Sequence, residues 1–131
     1  MDYTSKNHIG WLVPSINKAL PFFYSIGFDA NSQIIYDPNR KINIIFLHKV
    51  NQVIELIEPS DKTSIVYSYL KRHGPGPYHI CICQDDFISA EKTIKNLNFV
   101  AITREEEAIA FDNSKVQFFY SNDVGMVEIS F

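Results

Sequence analysis

Two histidines and two glutamates, His8, Glu55, His79 and Glu128, stand at matching places along a chain of 131 residues. Imidazole nitrogen and carboxylate oxygen are donors that a borderline divalent ion accepts, with water in its remaining positions. His8 opens the apolar segment His8-Ile9-Gly10-Trp11-Leu12-Val13, and His79 opens His79-Ile80-Cys81-Ile82-Cys83. Glu55 lies among Ile54, Leu56 and Ile57, and Glu128 among Val127, Ile129 and Phe131. A carboxylate inside an apolar strand is costly to bury unless it is paired or bound to a cation. A lone histidine or strand glutamate is an ordinary structural residue. The same pair occurring twice points to a metal site.

The elements that must position these residues also repeat. His8 and His79 are 71 positions apart, as are Phe28 and Phe99. Ile45-Phe46-Leu47 precedes Glu55 as Phe118-Phe119-Tyr120 precedes Glu128, at an offset of 73. In the first half a strand from His8 leads into a helix over about 15–25, with Ser15 available as its N-cap and Gly27 ending it. Strands are then expected at Ile34–Tyr36, Ile42–His48 and Gln52–Ile57. The second half repeats this order, with a helix from about Asp86 to Leu97 and strands at Ala108–Asp112, Lys115–Tyr120 and Met126–Phe131. A short helix, about Thr63 to Arg72, lies between the halves and is closed by Gly74-Pro75-Gly76-Pro77, a run that breaks helix and sheet alike.

Two tandem βαβββ modules give an α+β fold, with sheets curving into an incomplete barrel and helices outside. The expectation is one domain over 1–131, made of module one at about 6–59, a linker helix at about 60–77 and module two at about 78–131. On each opening strand, alternation puts His8 with Gly10 and Leu12, and His79 with Cys81 and Cys83.

His8-Ile9-Gly10, Val53-Ile54-Glu55-Leu56-Ile57-Glu58-Pro59, Tyr78-His79-Ile80-Cys81-Ile82 and Met126-Val127-Glu128-Ile129 resemble the glyoxalase/bleomycin resistance/vicinal oxygen chelate superfamily. The run from Tyr69 to His79, Tyr-Leu-Lys-Arg-His-Gly-Pro-Gly-Pro-Tyr-His, followed by Asp85-Asp86, is similar to its methylmalonyl-CoA epimerase-like branch. The resemblance spans His8 to Phe131. It implies His8, Glu55, His79 and Glu128 as ligands of a divalent ion (Mn, Co, Ni, Fe or Zn), with Glu128 and Glu55 as the catalytic carboxylates. It further implies a metal-dependent lyase, isomerase or epimerase that enolises a carbonyl or acyl-thioester substrate, as glyoxalase I-like or epimerase-like proteins do. Epimerases of this kind carry a further carboxylate near the strand before Glu55, whereas Lys41-Ile42-Asn43-Ile44-Ile45-Phe46-Leu47 holds no acid. That absence favours the alternative of a non-catalytic module that sequesters a small molecule.

The remaining features bound the partners. A net charge of −3 disfavours nucleic acid, which calls for a basic surface. No apolar run approaches the roughly 20 residues of a membrane helix, and the start of the chain lacks the apolar stretch of a signal peptide. Cys81 and Cys83 sit too close on one strand to bridge and read as reduced thiols, which suits the cytoplasm. A homodimer binding a small molecule is expected. Arg104-Glu105-Glu106-Glu107 reads as a charged surface loop, and His48 and His73 as surface residues or substrate contacts.

Overall fold

A computed structural model describes residues 7–30, 32–86, 89–111 and 114–131. The described backbone forms two compact units, one of residues 9–78 and one that joins residues 7–8 to residues 79–131. Each carries the same run of elements.

The first run is β1 (His8–Leu12), α1 (Ile16–Ser25), β2 (Asp29–Ala30), β3 (Ile35–Asp37), β4 (Ile42–Lys49) and β5 (Gln52–Pro59). Ser15 caps α1, its hydroxyl accepting the Lys18 N–H, as the sequence indicates. β1 pairs parallel with β5, and β4 pairs antiparallel with β5. Alternation then sorts the side chains. Ile45, Leu47 and Leu56 turn to one side of the sheet and join Val13, Ile16, Phe23 and Phe28 in a buried core. Burying each such side chain contributes roughly 1.5–3 kcal/mol. Glu55, Ile44 and Phe46 take the opposite side, away from α1.

The second run is β6 (Gly76–Cys83), α3 (Ala90–Asn96), β7 (Val100–Ala101), β8 (Glu106–Ala108), β9 (Ser114–Ser121) and β10 (Gly125–Ser130), with α2 (Tyr67–His73) preceding it. β6 pairs parallel with β10, and β9 antiparallel with β10. The fold is α+β, built of two βαβββ runs, each with a mixed, open sheet.

The registers show how closely the halves correspond. Gly10 faces Glu55, and Cys81 faces Glu128. Phe46 faces Glu55, and Phe118 faces Glu128. Equivalent residues are therefore 71 apart on the first strand (Gly10, Cys81), 72 on the third (Phe46, Phe118) and 73 on the last (Glu55, Glu128). The 73 read from sequence for the Phe46 strand is one too many, because the extra residue lies in the hairpin before β10 and not ahead of β9. The second strand of each module is split in the same way. Between Ala30↔Leu47 and Ile35↔Ile44, and again between Ala101↔Phe119 and Glu106↔Val116, the edge strand carries two more residues than its partner.

Several boundaries differ from expectation. α2 starts at Tyr67, not Thr63, because Asp61 takes the Thr63 N–H and Ser64 the Tyr67 N–H in turns that compete with helix. α3 begins at Ala90, after a 3₁₀ turn at Gln84–Asp86. β8 covers Glu106–Ala108, with a 3₁₀ turn at Ile109–Phe111 where strand was expected, and Asp112 lies outside the described residues. Half of the charged run at 104–107 is thus strand, since an edge strand tolerates exposed carboxylates. β6 also starts within the Gly-Pro run, where Pro77 is tolerated near a strand's first residue. Among the described residues no helix is long and apolar enough to cross a membrane.

Candidate metal centre

Three of the four expected residues meet within the unit that contains residues 79–131. His79 stands on β6, Glu128 on β10, and His8 opens β1. Glu128 Oε1 lies 3.2 Å from His79 Nε2 and 3.5 Å from His8 Nε2. The imidazole rings lie edge to face, with centroids 5.9 Å apart. All three side chains are buried, with Glu128 1 % exposed. Two Nε2 atoms aimed at one carboxylate oxygen present three donors to a common point. Their separations are those of neighbouring ligands around a divalent ion bound at about 2.0–2.2 Å, so the group fits such an ion.

The electrostatics agree. Burial pushes the Glu128 carboxyl up, but the charge and hydrogen bond of His79, with those of His8, outweigh it and hold the group well below the usual carboxylate range. Glu128 is kept ionised in a place where a lone carboxylate would be neutral. A cation would find it ready to bind.

Local structure explains why these side chains are held. The Asn7 side chain accepts the Cys83 N–H, fixing the chain just before His8. The Phe118 ring packs edge-on against His79 with centroids 5.1 Å apart, directly opposite Glu128 in the β9–β10 register. In turn, the Phe118 N–H donates to the Thr103 hydroxyl at 3.0 Å, and Gln117 donates to the Thr103 carbonyl. Thr103 sits in the split between β7 and β8 and replaces the missing strand partner. Neither role was read from the sequence; the 72-residue offset, had it been found, would have set Phe118 opposite Glu128.

Glu55 lies on β5 in the other unit, buried between Gly10 on β1 and Phe46 on β4. Cys81 is buried and Cys83 half-buried, and neither is in a disulfide. Strand alternation puts Cys81 on the His79 face, where its small side chain faces Glu128. His48 is half-buried on β4, and His73 is exposed at the end of α2.

Residues 7–118 match the model of the glyoxalase/bleomycin resistance protein/dioxygenase superfamily. The chain belongs to that superfamily. The chain is 27% identical over 122 residues to the mitochondrial methylmalonyl-CoA epimerase of Homo sapiens, covering 92% of this chain and 69% of that one. Among solved structures, a hypothetical protein of Bacillus halodurans superposes with a TM-score of 0.77 at 26% identity, covering 95% of this chain and 93% of that one. A Streptomyces coelicolor methylmalonyl-CoA epimerase in complex with 2-nitronate-propionyl-CoA gives a TM-score of 0.75 at 18% identity, covering 94% and 93%. With epimerases as its named relatives, the chain is an epimerase-like isomerase of the superfamily.

Proposed function

We propose that this protein epimerises the α-carbon of an acyl-CoA thioester, with a divalent ion (Mn, Co, Ni, Fe or Zn) held by His8, Glu55, His79 and Glu128. The observation that carries the reading is the convergence of both Nε2 atoms on the Glu128 carboxylate. Glu55 is included because it faces Gly10 as Glu128 faces Cys81, each two residues beyond its module's histidine. Relatives that act on methylmalonyl-CoA supply the substrate class.

When bound, the ion acts as a Lewis acid toward negative charge developing on the carbonyl oxygen. The chain's own residues move the proton. Glu128, kept ionised by its histidines, takes the α-proton as general base. Glu55 is the second carboxylate, and inversion requires a proton returned from the opposite side. No acid on β4 competes for that role, since Ile42–Lys49 contains none, and its Asn43 donates to Glu58 at 2.8 Å. Phe118 and Phe46 shield the carboxylates from water, which strengthens the electrostatics.

That acid-free β4 favours a second reading, a module that binds and sequesters the thioester without turning it over. Solvent deuterium exchange at the α-carbon of methylmalonyl-CoA, catalysed by metal-loaded protein, separates the two. Exchange together with inversion supports epimerisation, whereas tight binding with no exchange supports sequestration. We further propose a cytoplasmic setting, supported by two cysteines that form no disulfide, and a homodimer, which sedimentation would read directly.

A further inference from the structure

Thr103 belongs to no strand, yet it takes up the backbone of the residue that packs on His79. β7 ends at Ala101 and β8 begins at Glu106, so the edge strand leaves β9 between Phe119 and Val116. In that gap the Ile102 N–H donates to the Phe118 carbonyl at 3.0 Å. The Phe118 N–H donates to the Thr103 hydroxyl, also at 3.0 Å. From the other face of β9, the Gln117 side chain donates to the Thr103 carbonyl at 2.9 Å. These bonds fasten residues 102 and 103 to the middle of β9. A bulge beside a site serves to re-aim a side chain. Here that side chain is the buried Phe118 ring, which meets the His79 imidazole at 5.1 Å and 87°.

Resting on the metal-centre reading above, we infer that Thr103 is a positioning residue for His79. It fixes the backbone of Phe118, and the Phe118 ring fixes the tilt of the imidazole and so the direction of Nε2. A ligand side chain must be held within about 10–20° of its productive orientation. Threonine suits the place because its hydroxyl accepts the amide while its β-branch restricts χ1, so the acceptor stays put. Losing the acceptor removes that bond, and β9 must then shift to hydrate the amide. Every residue in this chain of contacts lies within the unit of residues 79–131.

The test compares Thr103→Val, which keeps the shape and removes the acceptor, with Thr103→Ser, which keeps the acceptor. Ser15→Ala, which removes a helix cap in the other unit, controls for lost stability alone. In metal-free protein, Thr103→Val should speed hydrogen exchange of the Phe118 amide about tenfold and move the NMR signals of the His79 ring. It should also change the visible absorption of bound cobalt and weaken cobalt binding about tenfold, the low end for groups that orient a ligand. Thr103→Ser should restore every one of these, and Ser15→Ala should move none. Adding Thr103→Val to Phe118→Leu should cost no further cobalt affinity, because the effect runs through the ring. Faster amide exchange with unmoved His79 signals and an unchanged cobalt spectrum overturns the inference, leaving Thr103 a clamp on the strand alone. A wild type that binds no cobalt, while Thr103→Val still moves the His79 ring, overturns the metal centre and upholds the positioning role.

Discussion

Glu128 Oε1 stands 3.2 Å from His79 Nε2, and the parallel register of β6 and β10 places the two there. Cys81 faces Glu128, so the residue two positions before it, on the same face, is within reach of the carboxylate. A one-residue slip would turn one of the pair to the other side of the sheet. The following outcomes depend on that geometry.

Purified protein should carry about one divalent ion per chain, measured by elemental analysis after reconstitution. His79→Ala and His8→Ala should each weaken its binding sharply, because either change removes one of the two imidazole donors and leaves one histidine with two carboxylates. Stripping the ion with a chelator should lower Tm, since at a hundredfold excess over Kd a ligand adds about 2.7 kcal/mol. A wild type that retains no ion and shows no Tm shift with any of the five metals would refute the site.

Glu128→Gln should reduce turnover by about 10² to 10⁴, the usual cost of deleting a general base. Glu55→Gln should keep the metal and part of the activity. Both must be compared at equal metal occupancy, with exchange of solvent deuterium into the thioester as the readout. An inactive Glu55→Gln beside an active Glu128→Gln would reverse the assignment of the two carboxylates.

Acid should act on the metal-free protein through Glu128. Its carboxyl is held below the ordinary range, against the upward push of burial, by His79 and His8. A depressed folded value adds stability that is fully present above the unfolded carboxylate pKa of about 4.3 and is lost as pH falls through the folded value. Urea unfolding from pH 5 downward should therefore weaken more steeply for wild type than for Glu128→Gln. Parallel curves would mean that the ionised pair contributes nothing.

Much of this arrangement was legible because the chain states it twice. His8 and His79 open strands of the same parity, and Glu55 and Glu128 close modules of the same order, so symmetry picked out four residues that are individually unremarkable. The helix cap at Ser15 and the βαβββ order followed from local chemistry. What stayed hidden was pairing. The position of Phe118 opposite Glu128 depends on where one extra residue enters a hairpin, and alternating apolar residues look alike under a one-residue shift. Thr103 was invisible for a related reason, since its partner is a backbone amide left open by a split in the edge strand. The edge strand β8 was misplaced because its Glu106 and Glu107 carry no apolar signal, and only pairing with Val116 and Lys115 makes them strand.

Glu58 provides the sharpest control on the catalytic assignment, because it is the carboxylate hydrogen-bonded to β4. It lies three positions after Glu55, which on a strand sends it to the opposite face. There its Oε1 accepts the Ile16 N–H at 3.0 Å and its Oε2 accepts from Asn43 at 2.8 Å. The first bond satisfies an amide that the opening turn of α1 leaves without a helical partner, and it ties the helix to β5. Both contacts are structural. Glu58→Gln retains one acceptor and brings an amide donor toward Ile16 or Asn43, so it should cost about 1–3 kcal/mol of stability. Turnover per folded, metal-loaded molecule should stay within about twofold of wild type, because general-base loss is a far larger effect. Urea unfolding and deuterium exchange on the same preparation check both halves. A stable Glu58→Gln variant whose exchange falls a hundredfold would move the second acid–base group from Glu55 to Glu58.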